Sequence, residues 1–98
     1  MIARVWTATA SADGAERYAA HFRSRVLPQL RAVQGFLHAY LLRRDDEIHV
    51  VTLWESMAAV AAFAGADPGS AVVEPQARAV LRRYDDRVRH FETESFGR

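Results

Sequence analysis

Four histidines stand in a chain of 98 residues that has no cysteine and, since all 13 basic residues are arginine, no lysine. Without cysteine there are no disulfides, thiolate metal sites or cysteine nucleophiles. Without lysine, Schiff-base chemistry, pyridoxal phosphate attachment and a phosphate-loop lysine are excluded. No nucleophile-elbow serine or glycine-rich phosphate loop is present. Histidine is then the side chain best suited to exchange a proton near neutral pH.

His38 and His49 fall in two aromatic- and β-branched-rich runs, Phe36 to Arg43 and Glu47 to Glu55, that flank Asp45-Asp46. A hairpin closed by those two aspartates sets Arg44 opposite Glu47, His38 opposite Leu53 and His49 opposite Leu42. The two imidazoles then share a sheet face but lie roughly 13 Å apart, too far to bind one ion at ~2.1 Å. No metal is expected. One face carries Leu37, Ala39, Leu41, Ile48, Val50, Thr52 and Trp54 and reads as core. The other mixes Phe36, His38, Tyr40, Leu42, His49, Val51, Leu53 and Glu55, apolar bulk beside titratable groups, as in a ligand pocket. Glu55 lies diagonal to His38, at about 7–8 Å, so a Glu55-oriented His38 is a candidate general base, with Tyr40 or an arginine such as Arg4 as the donor. The plainer alternative places these side chains at a subunit seam, and a three-residue loop would exchange the faces.

Trp6 and Trp54, with Tyr18, Phe22, Phe36 and Phe63, offer flat apolar surface for an aromatic ligand, although Trp54 reads as core; His49, on the mixed hairpin face, is a further candidate substrate contact. His21 lies one position off the Tyr18/Phe22 stripe, at the core boundary. His90, among Arg87, Arg89 and Glu92, reads as a solvated or interface residue.

The elements that must position these groups follow from local signals. Residues 2–10 read as a strand; Asp13 as N-cap with Glu16 three later then opens a helix whose apolar face is Tyr18, Phe22, Val26, Leu30 and Val33. Pro28 predicts a kink near Leu27, and Gly35 a stop. Ser56 caps a helix from Met57 to Ala64 that ends at Gly65, Asp67-Pro68 starts another helical piece, and Pro75 opens turns through Leu81. Tyr84 to Phe96 reads as the last strand. The order is βαββαβ: one ferredoxin-like α+β domain over residues 1–98, with a four-stranded antiparallel sheet and both helices on one face. The bare apolar face predicts a homodimer.

A net charge of +1, with arginines alternating with acids, lacks the footprint of a nucleic-acid binder. The longest small-apolar run, Met57 to Ala66, is too short to span a bilayer, and Met1 to Trp6 does not open a signal segment. A cytoplasmic location is expected.

Leu53-Trp54-Glu55-Ser56-Met57 running into Ala58 to Phe63, Val33-Gln34-Gly35-Phe36, and Tyr84-Asp85-Asp86 leading to Val88 through Phe91 resemble the antibiotic-biosynthesis-monooxygenase family of dimeric α/β barrels. The resemblance implies a cofactor-independent oxygenase of electron-rich, polyketide-like aromatics. An isomerase or cyclase on a related substrate, or a non-catalytic ligand-binding or structural dimer, are the alternatives. The family's haem-degrading branch uses an Asn on the first strand, then a Trp and a His. Here there is no asparagine, Thr7 (or Trp6) stands at the Asn position, Phe63 at the Trp position and Val73 near the His position. Haem degradation is therefore not expected, no cofactor is expected, and Thr7 joins the substrate-contact candidates.

Overall fold

The computed structural model describes all 98 residues. Strand β1 (Ile2–Thr9) is flanked by β3 (Glu47–Trp54) on one side and by β4 (Arg83–Tyr84) and β5 (Arg89–Glu92) on the other, with β2 (Phe36–Arg44) outside β3. Every pairing is antiparallel, giving the ferredoxin-like strand order. The fourth strand is split in two, because between its halves the chain pairs elsewhere. Arg87 bridges Ser70 and the Val88 N–H donates to Gly69 O (2.9 Å). The strand expected from Tyr84 to Phe96 is thus interrupted, and it ends at Glu92.

Helix α1 (Ala12–His21) is capped by Ser11, whose Oγ accepts from the Gly14 N–H at 3.0 Å. Asp13 and Glu16 do not form the expected capping box. They spend their carboxylates on Arg17 (3.0 Å) and Arg43 (2.7 Å). The predicted break before Pro28 takes the form of a π-helical turn, Phe22–Val26, closed by the Leu27 N–H on Phe22 O and followed by α2 (Leu27–Arg31). That wider turn has a packing consequence. Side chains four apart drift by about 40° per step round an α-helix, and a π turn takes up part of the drift. Tyr18, Phe22 and Leu30 accordingly stay buried on one side, with Val26 partly so.

The hairpin closes on Asp45-Asp46 with Asp45 at φ 54°, and the register from His38–Leu53 to Arg44–Glu47 is the one expected. A bulge at Leu37 changes its far end. Phe36 now faces Trp54, their rings 5.4 Å apart edge to face, so Phe36 belongs to the core side while Leu37 is exposed. Gly35, at φ 95°, allows the approach to helix α3 (Met57–Ala64), since a Cβ there would lie 2.6 Å from Ala59 Cβ. Ser56 caps α3 as expected. Asp67-Pro68 does not start a helix: Asp67 accepts from the Gly69 N–H and pairs with Arg87, which closes a turn. Pro75 opens α4 (Pro75–Arg78).

The core lies between the helices and one face of the sheet, around the fully buried Trp54, Leu30, Ile48 and Val60. The other sheet face has no helix over it. Alternation puts Val5 and Thr7, His49, Val51 and Leu53, His38, Tyr40 and Leu42, and Phe91 there, with Tyr40, Leu42 and Phe91 each about half exposed.

Candidate active site

Arg4 is the one charged side chain that β1 sends to its core face, and it is buried. Its guanidinium has no carboxylate partner. Nη1 donates to Pro68 O and to His90 Nε2 (3.0 Å), and Nη2 donates to Ser70 O (2.9 Å). Burial lowers its pKa to about 10, which leaves it cationic at neutral pH. An unpaired buried charge is costly, and hydrogen bonds to carbonyl dipoles offset only part of that cost.

A guanidinium only donates, so His90 Nε2 must be the acceptor and the ring proton must sit on Nδ1. The imidazole is therefore neutral in this arrangement. Burial first and Arg4 second hold its pKa below the usual 6.5. The contact arises because Arg4 and His90 are directly opposed on β1 and β5.

Beside Arg4 is a cavity of about 50 Å³ walled by Trp6 from β1, Tyr18 and Phe22 from the first helix, Val26 and Leu30 beyond it, Val50 and Thr52 from β3, and Phe63 from α3. Val72 and Val88 close its outer side. Trp6 lies against Tyr18 at 5.6 Å between ring centroids, and the Arg4 guanidinium carbon is 5.9 Å from the Phe63 centroid. The Trp6 indole N–H is satisfied by Asp85 O (2.9 Å), so the ring presents its apolar surface. Burial raises the Tyr18 pKa, which keeps its hydroxyl a neutral donor. Nine of the eleven lining residues are hydrophobic, and no histidine lines the cavity.

Of the residues singled out from sequence, Trp6, Tyr18, Phe22 and Phe63 are brought together as cavity walls. Thr7 and His49 are cross-strand partners on the opposite sheet face, where Thr7 donates to Asp85 and His49 bonds Glu47 (3.0 Å). His38 and Tyr40 stand on that same open face with their rings 4.8 Å apart. The bulge at Leu37 leaves Glu55 opposite Gly35, with its N–H on Gly35 O (2.8 Å) and its carboxylate beside Gly35. His38, Tyr40 and Glu55 therefore do not face the cavity. His21 is nearly buried, 3.7 Å from Glu74. His90, read from sequence as solvated or interfacial, is partly exposed and also bonds Arg4. Sequence held one signal for the cation: Arg4 shares its strand parity with Trp6 and Ala8.

An antiparallel sheet with its helices on one face and an aromatic-walled cavity between the two layers defines an α+β domain of ferredoxin-like topology. The family model for antibiotic biosynthesis monooxygenase matches residues 1–74, and the chain belongs to that family. No curated protein matches by sequence. Among solved structures it resembles a variant of MhuD with two manganese protoporphyrin IX bound per active site, with TM-score 0.73, 22% identity and 99% of both chains covered. It resembles a variant of SnoaB, a cofactor-independent oxygenase from Streptomyces nogalater, at TM-score 0.69 and 17% identity over 97% of this chain and 94% of that one. The monooxygenase ActVA-Orf6 of Streptomyces coelicolor, in complex with nanaomycin D, gives TM-score 0.67 and 22% identity over 99% and 88%.

Proposed function

We propose that this protein is a homodimeric, cofactor-independent oxygenase of an electron-rich, ionisable aromatic substrate, with the helix-side cavity as its active site. The observation that carries the reading is the union of an aromatic-walled cavity with one buried cation that lacks a counter-ion. Flat apolar walls suit an aromatic ring, and a preorganised guanidinium suits the oxygen on which negative charge develops. Family membership and the cofactor-independent relative favour oxygen as the co-substrate. In this scheme the substrate anion supplies electrons to dioxygen. One oxygen atom enters the product and the other leaves as water.

An aromatic ligand needs roughly 300 Å³ or more, so a wall must move to admit it. The segment between α3 and α4 is held at its middle by Arg4 through Pro68 O and Ser70 O. An anionic ligand would compete for those donors and loosen that wall as it binds. A second copy of the chain fits the open sheet face, where Tyr40, Leu42 and Phe91 are exposed beside Val51 and Leu53. Two such faces stacked about 10 Å apart about a twofold axis bury that surface isologously.

Oxygen uptake by the purified protein with a hydroxyanthrone tests the reading. The expected result is one O₂ consumed per product, lost under anaerobic conditions. Turnover that continues without oxygen would make the protein an isomerase or cyclase. Absence of both turnover and binding would leave a structural dimer.

A further inference from the structure

The proposed site has an anion holder but no base among its walls, and the two histidines on the open hairpin face lie on the wrong side of the sheet to serve it. His90 is differently placed. Its Nε2 is 3.0 Å from Nη1 of Arg4, a residue that lines the cavity, and Val88, two residues earlier on the same chain segment, is itself a cavity wall. The backbone pairing of Arg4 with His90 fixes that geometry, so it does not depend on a flexible loop. The ring is half-buried, with its Nε2 lone pair directed at Arg4 and a partly solvated side from which a proton can leave.

We infer that His90 is the general base of this site and acts with Arg4 as one unit that generates and holds the substrate anion. This rests on the cavity reading above. A hydroxyl on the bound ring displaces Arg4 Nη1 from His90 Nε2 and lies between the two groups. Its O–H bond breaks, an N–H bond forms at Nε2, and the electron pair stays on the oxygen, which now accepts from Nη1. No net charge is created, because imidazolium and anion form together beside a guanidinium that was already unpaired.

The charged surroundings of His90 are consistent with this role. Arg4, across the strand pair, is the charged group whose field acts on it. Glu92 follows two residues on along the same strand, and the loop packed against Arg4 offers carbonyls, its Asp67 being engaged by Arg87. No carboxylate bonds His90, so nothing pre-empts the proton it is to receive.

The test uses 4-nitrophenol, whose phenolate is coloured, at a pH where the free phenol is mainly protonated. Titration calorimetry in buffers of different ionisation enthalpy counts the protons exchanged. Wild type is expected to bind the phenolate with near-zero proton release, since His90 retains the proton. His90→Gln, which keeps an acceptor for Arg4, is expected to release about one proton per phenolate bound. In wild type the His90 ring resonances are expected to move to imidazolium positions as the probe binds, a readout that needs no folded variant. With a hydroxyanthrone, His90→Gln is expected to lower kcat about 10²-fold and to remove the acid limb of the pH profile. Binding with equal proton release in both proteins, or a His90 ring that stays neutral, overturns the base while leaving the cavity reading intact. No binding by wild type overturns both.

Discussion

At the scale of single residues, Arg4 bridges Pro68 O and Ser70 O and, in the proposed site, holds the substrate anion, so its replacement is expected to affect both stability and binding. Arg4→Met removes the donors to Pro68 O and Ser70 O and leaves those carbonyls without partners in a partly buried setting. Each such loss costs about 1–3 kcal/mol, and urea unfolding of the variant reads the sum. The same variant is expected to weaken binding of the phenolate probe by about 10- to 100-fold, from loss of a charged hydrogen bond. His90 gives a pH-dependent counterpart. Its folded pKa lies below 6.5, so the unfolded chain binds the proton more readily. Stability is therefore full above pH 6.5 and falls as the pH drops through the lower folded value; His90→Gln is expected to flatten that part of the profile in thermal melts. Residue type and parity made the aromatic walls legible, since Tyr18, Phe22 and Trp6 follow simple helical and strand periods. The Arg4–His90 pair was not legible. It depends on which residue of the last strand opposes which residue of the first, 86 positions away, and no local pattern specifies that.

At the scale of elements, two glycines set how closely the helices approach their neighbours. Glycine to alanine in a helix ordinarily gains about 0.5–1 kcal/mol. At Gly14 the sign is expected to reverse, because an added Cβ would lie 2.4 Å from Val80 O after α4. Chemical denaturation of Gly14→Ala should show a loss of stability despite the gain in propensity. Gly35→Ala combines a positive φ with the Ala59 clash and is expected to cost about 2 kcal/mol or more. Most element boundaries followed from caps and turns: Ser56, Gly65, Gly35 and Asp45-Asp46 all act as their residue types predict. The departures have identifiable causes. The helix starts at Ala12, so Ser11 stands at the cap and Asp13, inside the first turn, pairs with Arg17; the bulge at Leu37 moved Phe36 into the core, and contacts from Ser70 and Gly69 interrupted the last strand.

At the scale of the whole molecule, one sheet face packs the helices and the other has no helix over it. The proposed twofold dimer is expected to fall apart when Leu42 becomes Arg, since the interface would then have to bury a charge in its apolar surface. Sedimentation velocity should then show monomer for Leu42→Arg and dimer for wild type. That arrangement makes His38, Tyr40 and His49 seam residues and leaves the chemistry to the opposite side of the sheet. The account stands or falls on that choice of side. A crystal structure with a bound hydroxyanthraquinone, a redox-stable mimic of the substrate class, tests it most directly. The account predicts the ring among Trp6, Tyr18, Phe22 and Phe63, with one oxygen within hydrogen-bond distance of Arg4 and His90 and the segment around Pro68 to Ser70 displaced. A ligand seated instead against His38, Tyr40 and Glu55, with the helix-side cavity still closed, would contradict it.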